Sequence, residues 1–291
     1  MTKFKGIALG LLSSASFGLI PSFSIPLMRE GMGIASILFY RFLFSTLFIL
    51  PLLLFRKDSI RIDVKQIVIL SVLSIFFAAT SLGLIWSYSF IPSGITTTIH
   101  FLYPILVAIV MMYFFREKRS ILIFLSALFS FMGVALLCWS DTAVVVKMIG
   151  IYIALATVVT YAVYIVGVNR FGINRINSLI VLFYIVFFGT ILFGIYALST
   201  TGIEAITTKK EWMYLIILAF LPTVVSDFAL ILSIKYAGET IAAILGVMEP
   251  VVAVCMGVWF FSESFNLYSF IGLIIVLFSV IMTIIVGYGK K

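Results

Sequence analysis

Four ionisable residues, Arg41, His100, Asp227 and Glu249, stand inside otherwise apolar stretches. At the centre of a membrane-spanning helix a charged side chain costs about 2.5–3.5 kcal/mol on insertion scales, so each must face protein, water or a bound molecule. The chemistry open to them is recognition and proton carriage. A carboxylate at Asp227 or Glu249 could hold an ammonium group or a proton, and Arg41 could clasp a carboxylate through two parallel hydrogen bonds. His100, the single histidine, could line a pocket, or carry a proton beside a carboxylate that tunes it. A plainer reading competes at each position. Buried charges are usually paired, so Arg41 with Asp227 or Glu249 could be an ion pair that stabilises one conformation. A lone histidine is more often a satisfied packing residue than a ligand, and without further His or Cys neighbours no metal site is expected.

The residues around these four add detail. Glu249 is followed by Pro250 in "GVMEP"; proline has no N–H, so the carbonyl of Gly246 is expected to lose its helical donor. Gly246 is also small enough for a backbone, a water or a ligand to approach. "HFLYP" repeats the arrangement, with Pro104 freeing the carbonyl of His100 and Tyr103 standing where Glu249 does. Thr96, His100 and Tyr103 follow at intervals of four and three residues and share one helical face. Thr80, Trp86 and Thr97 are further candidates to shape a pocket, and Tyr40, Tyr88, Tyr161 and Tyr164 could line a route for an organic molecule. With 16% aromatic residues, however, most such rings are packing or interfacial positions. Asp227 follows Pro222 by five residues. Glu117 and Glu263 are expected at helix ends, Gly10, Gly18 and Gly83 at close helix contacts or hinges, and Cys138 and Cys255 in the core.

Elements of one kind must position all of these. The 291 residues are 64% hydrophobic and 10% charged, against roughly a quarter charged in soluble domains. Apolar runs of about 20 residues, each able to cross a bilayer as a helix, recur along the chain. We expect ten spans: 6–28, 34–55, 66–91, 94–115, 120–139, 149–168, 177–199, 212–236, 240–261 and 267–288. The first is too long for an ordinary signal peptide and shows no clear cleavage site. The net charge of +8 lies on no soluble module that could grip nucleic acid. With a cytoplasmic N-terminus, 14 Lys and Arg residues fall inside and four outside, Arg41 lying within a helix. This positive-inside bias places both termini in the cytoplasm, with Trp86, Trp139, Trp212 and Trp259 near the outer face. The sequence has neither GxxxxGK[ST] nor HExxH, so an ATP-driven pump and a zinc hydrolase are poor readings, and no cofactor is expected.

An offset of 146 residues aligns 87–119 with 233–265 and matches Pro104 with Pro250 and Glu117 with Glu263; an offset of 144 matches Leu38-Phe39-Tyr40 with Leu182-Phe183-Tyr184. The chain therefore reads as two copies, 1–145 and 146–291. Five spans is an odd number, so the second copy enters the membrane from the opposite side. "REKR" at 116–119 becomes "SESF" at 262–265, the loss of basic charge expected of a loop moved outside. Inverted repeats point to a secondary transporter with its site near the midplane between the halves.

The ten-helix plan, the "YP" and "EP" of the fourth and ninth spans, and "FFREK" and "FFSES" at their ends resemble the drug/metabolite transporter superfamily, in particular its EamA-type members. The resemblance covers essentially the whole chain. It implies an all-α integral membrane protein of the cell's inner or plasma membrane, with ten helices in two inverted five-helix repeats. Around its central cavity would lie spans 3, 4, 8 and 9, with spans 1, 2, 6 and 7 outside them. It also implies shared structural or gating parts for Arg41 and for the glutamate before Pro250. The expected function is alternating-access export of a small polar metabolite, an amino acid or a relative, with protons as a candidate coupling partner and a monomer or a homodimer both open. A flippase for lipids or lipid-linked carriers is the alternative on the same fold.

Overall fold

The computed structural model describes residues 2–56, 61–116, 121–137, 147–171, 176–261 and 266–289, which form helices and, among the described residues, no strand. Glu117, Glu263, Cys138 and Trp139 lie outside them. Eight helical segments are long and apolar enough to cross a bilayer, and Ile121–Leu136 and Leu267–Thr283 are shorter apolar helices. About half of each long segment is buried inside the protein; the other half exposes residues such as Leu54, Phe55, Leu198 and Trp259. An apolar side chain needs no protein partner when lipid surrounds it, and the chain is a multi-pass membrane protein. Cys255, expected in the core, is exposed, because an apolar helix in lipid turns one face outward.

In chain order the first span is α1 (Thr2–Phe17) and α2 (Ile20–Arg29), the second α3 (Ile34–Arg56), and the third α4 (Val64–Ser87). The fourth is α5 (Ser93–His100) and α6 (Tyr103–Tyr113), followed by α7 (Ile121–Leu137), α8 (Met148–Arg170) and α9 (Ser178–Ser199). The eighth region comprises α10 (Lys209–Ala219), a π-helical segment (Phe220–Val225) and α11 (Ser226–Ala237). Then come α12 (Glu239–Leu245), α13 (Met248–Phe261) and α14 (Leu267–Gly289). The most extensive packing joins α1 to α11, α4 to α8, α3 to α9 and α7 to α14. Where the sequence suggests continuous spans, the first, fourth and ninth are interrupted by short turns and the eighth by the π-helical segment.

The prolines account for these interruptions. A helix inside a bilayer cannot leave its carbonyls to water, and each proline removes one donor. At the α12–α13 break the Gly246 carbonyl, deprived of an amide at Pro250, accepts instead from the Glu249 N–H at 2.9 Å. That takes the Glu249 amide away from Leu245, and the Ser14 hydroxyl of α1 donates to the Leu245 carbonyl at 2.9 Å while also reaching Gly10 at 2.8 Å. The Gly246 carbonyl thus loses its helical donor, as expected, and regains one within the turn. The acceptor that leaves the helical ladder is Leu245, and a neighbouring helix supplies its donor.

Close approach makes this possible. A Cβ on Gly18, in the α1–α2 turn, would collide with the Glu249 carbonyl, so the first break lies directly against the ninth span's break. A Cβ on Gly10 would come within 2.8 Å of Leu245 and Ser233, and one on Gly83 would collide with Thr157. On Gly246 it would run into the Tyr103 hydroxyl and come within 2.8 Å of the Ala243 carbonyl, joining the two halves of the chain at their matching breaks. Gly246→Ala should therefore cost about 1–3 kcal/mol through overpacking, seen as a lower melting temperature in detergent, and Tyr103→Phe should recover part of that loss. An equal loss in both backgrounds would assign the limit to the Ala243 carbonyl.

Candidate functional site

Arg41 is held by the π-helical segment. Pro222 cannot donate to the Leu218 carbonyl one turn back, and the Thr223 hydroxyl does so at 3.0 Å. With its proton committed there, Thr223 accepts from Arg41 Nε at 2.7 Å. A second guanidinium nitrogen reaches the Pro222 carbonyl at 3.5 Å, and Ser45, one turn along α3, donates to the Ala219 carbonyl at 3.1 Å. The guanidinium also lies 6.0 Å from the Phe17 ring and 5.8 Å from Phe42, distances at which ring faces favour a cation.

Among the described residues the ion pairs are Arg170 with Glu239 and Lys210 with Glu30. The expected Arg41 pair with Asp227 or Glu249 does not form in this conformation. The π-segment offers neutral acceptors that Arg41 takes instead, although Asp227 acts on Arg41 electrostatically through space.

His100 is tied down on one side only. Its Nδ1 lies 2.8 Å from Thr157 Oγ1, and the Thr157 hydroxyl donates to the Ala154 carbonyl at 2.6 Å. The Thr157 bond to Ala154 favours the tautomer in which Nδ1 donates to Thr157, which leaves a lone pair on Nε2. Nε2 has no hydrogen-bond partner; neither do the Tyr164 hydroxyl, the two Asp227 carboxylate oxygens, Ser81 Oγ or Ser233 Oγ, all of them buried. Unpartnered groups of this kind are uncommon in native interiors, and each requires a reason.

Aromatic rings connect these atoms. Tyr161 is the hub: its centroid lies 4.7 Å from Tyr103, 5.1 Å from His100, and 6.0 Å from both Tyr164 and Phe17. Tyr164 continues to Phe77 at 4.9 Å. Asp227 lies within electrostatic reach of Tyr161 and Tyr164, and Glu249 within reach of Tyr88, Tyr103 and Tyr161. His100, Tyr103, Tyr164, Asp227, Gly246 and Glu249 are thus brought into one buried region at the meeting of the helix breaks. Pro104 and Pro250 each stand in the first turn of the helix that leaves its break.

Other expected members are placed differently. Thr80 bonds Thr160 at 2.7 Å and Thr96 accepts from Ser87 at 3.0 Å, both between helices, and Thr97 donates to the Ser93 carbonyl at 2.8 Å within α5. Trp86 is 45% exposed and meets Phe90, so it is not in the cluster. Tyr40 donates to the Glu204 carbonyl at 2.7 Å, in the linker before α10. The aromatic hub itself, Tyr161, comes from α8 in the sixth span.

Sequence reasoning missed Thr157 and Thr223, which fix His100 and Arg41, and gave Tyr161 too little weight. A signal was present for α8: Thr157, Tyr161 and Tyr164 repeat the intervals of four and three residues found in Thr96, His100 and Tyr103. Away from the cluster, Glu239 is buried at the start of α12 and accepts from Arg170 Nε at 2.5 Å and from Asn169 Nδ2 at 2.7 Å, with the Arg170 guanidinium 4.9 Å from the Phe115 ring. These contacts join the ends of α8 and α12 to the end of the fourth span.

Broken apolar helices around buried polar side chains define a polytopic membrane protein. The comparisons supply the particular class. The profile of the EamA-like transporter family matches residues 4–139 and 148–285. The chain belongs to the EamA-like transporter family, a family of membrane transporters of the drug/metabolite superfamily rather than of enzymes. A solved structure titled "Crystal structure of protein" is similar over 100% of this chain and 98% of its own, with a TM-score of 0.81 at 13% identity; that likeness concerns the fold. No curated protein matches the chain.

Thr223→Val would strand both Arg41 Nε and the Leu218 carbonyl, at a cost of about 2–4 kcal/mol. A drop in melting temperature of roughly 5–10 °C is expected in detergent, while Thr223→Ser, which keeps the hydroxyl, should stay close to wild type.

Proposed function

We propose that the protein is a secondary transporter of a small polar organic metabolite, an amino acid or a chemical relative, working by alternating access in the cell membrane, with export as its net direction. Ten spans would form two inverted five-helix repeats, 1–145 and 146–291, with both termini cytoplasmic. The observation that carries this reading is the buried group of unpartnered polar atoms at the meeting point of helix breaks in a chain of a transporter family. A polar site enclosed by apolar helices is useful to a molecule that must leave water on one side and regain it on the other.

The packing supports the repeat. Exchanging each span with the one five places on turns the α1–α11 contact into the α4–α8 contact and maps α3–α9 and α7–α14 onto themselves. The two separate family matches, each about half the chain, agree with such a division. Rocking of one half against the other requires contacts that can open. Asn169 and Arg170 on Glu239 have the form of a latch at one end; the aligned position to Glu239 in the first copy is Ser93.

Purified protein in proteoliposomes should show saturable flux of amino acids or related metabolites, and Glu249→Gln should lower it at least about tenfold, as expected when a charged partner in the working site is lost, while the melting temperature is retained. Poor folding with normal flux per folded molecule would make Glu249 a structural residue. Glu239→Gln should leave substrate-induced thermal stabilisation unchanged and alter maximal flux several-fold, since the latch lies outside the buried cluster and sets the balance between conformations. Unchanged flux with lower stability would make the pair purely structural.

A further inference from the structure

Away from the helix breaks, where α8 and α11 end and α9 begins, a small cavity opens between the three helices. Its walls are Val168 of α8, Val181 of α9, and Ile231 and Ile234 of α11, with Ser178 and Lys235 as polar members. The volume is about 10 Å³, room for one water-sized group. Among the described residues no acid lines it.

Both polar members are uncommitted. Ser178 is 5% exposed, and no hydrogen bond among the described residues uses its hydroxyl. Its backbone amide is also left over. In the first turn of α9 the Leu179 amide donates to the Asn177 side chain at 3.0 Å, and the Ile180 and Val181 amides donate to the Asn177 carbonyl at 2.9 and 3.1 Å. Lys235 is exposed and enters neither of the ion pairs found among the described residues. Glu239, four residues on, does not answer that charge, because its two oxygens accept from Arg170 and Asn169.

A hydroxyl, an amide at the head of a 22-residue helix and an ammonium all suit the same kind of partner, an oxyanion. The place of the cavity, at helix ends between apolar walls, favours an oxyanion that arrives from the bilayer, and a lysine stem is long enough to carry its ammonium to the headgroup level. Basic pockets between membrane helices are a recurring form of lipid recognition.

We propose that this cavity binds the phosphate of an anionic phospholipid. One phosphate oxygen enters and accepts from the Ser178 hydroxyl and amide, Lys235 pairs with the phosphate at the mouth, and the acyl chains remain in the bilayer. A headgroup without a cation of its own, as in phosphatidylglycerol, leaves its charge to Lys235, whereas the choline of phosphatidylcholine neutralises it internally. The inference does not depend on which solute the protein moves.

The purified full-length protein, stripped of lipid in detergent, is titrated with dioleoylphosphatidylglycerol, dioleoylphosphatidylcholine or inorganic phosphate, and the molecules retained are counted by native mass spectrometry. Phosphatidylglycerol is expected to bind about fivefold tighter than phosphatidylcholine, and inorganic phosphate not to bind in the same range. Lys235→Gln and Ser178→Ala should each weaken phosphatidylglycerol about fivefold, the effect of losing one basic residue or one hydrogen bond to a charged group. Lys65→Gln removes the same charge from an exposed position at the start of α4, on the same side of the membrane, since Leu73 of α4 lies against Gly167 of α8; it should change binding less than about twofold. Equal affinity for the two lipids would overturn the proposal, and so would equal losses in Lys65→Gln and Lys235→Gln with Ser178→Ala unchanged, which would show general surface attraction. Binding of inorganic phosphate in place of the lipid would overturn it in favour of a free-ion site, and binding of none of the three would leave the cavity to water. Should Ser178→Ala fail to fold, the contrast between Lys235→Gln and Lys65→Gln decides.

Discussion

A prolyl nitrogen has no proton, and inside a bilayer no water takes its place. Much of the interior follows from that constraint. Pro250 shifts the Gly246 carbonyl onto the Glu249 amide, which deprives Leu245 and calls for Ser14. Pro222 deprives Leu218 and calls for Thr223; the wider π-turn exposes further carbonyls that Ser45 and Arg41 approach. Each substitution of a side-chain donor for a backbone one brings a second helix into fixed register with the broken one. Glycines at 10 and 18 let α1 come close enough to serve.

The same breaks create the site. A continuous helix buries its polar backbone, whereas an interrupted one lets side chains such as Glu249 and Tyr103 stand near the turn, with Gly246 beneath the Tyr103 hydroxyl. Thr157 holds His100 Nδ1 and Thr223 accepts from Arg41 Nε, while His100 Nε2, both Asp227 carboxylate oxygens and the Ser81, Tyr164 and Ser233 hydroxyls stay buried without a partner. The polar character of the site is thus set by the residues that take its donors as much as by those that face it.

Much of this was legible in the sequence because it depends on local pattern. Apolar runs mark the spans, prolines mark where ladders fail, and ionisable residues in apolar context mark the interior. The features that were not legible depend on which helix meets which. Gly246 was expected to lose its helical donor and does, but Pro250 does not announce that the Glu249 amide then turns to Gly246 and leaves the Leu245 carbonyl to Ser14 of another helix. Arg41 was expected to find an acid, and no residue spacing reveals that Thr223, 182 positions away, reaches it first. Cys255 was placed in the core because hydropathy cannot tell a protein-facing from a lipid-facing side of an apolar helix.

Alignment of the two halves separates the settings of the two charges. The position matching Arg41 at an offset of 144 is Ile185, and the one matching Pro222 at 146 is Phe76. Without a proline there, α4 runs unbroken from Val64 to Ser87, and a neutral contact suffices, Ser74 donating to the Ile185 carbonyl at 2.8 Å. The arginine therefore accompanies the proline: a cation in the second span answers the carbonyls opened in the eighth. Asp227 matches Ser81, and no rerouted backbone group requires its carboxylate. An acid that costs several kcal/mol to bury unpaired, with neither carboxylate oxygen partnered, is the part of this interior that the fold leaves unexplained.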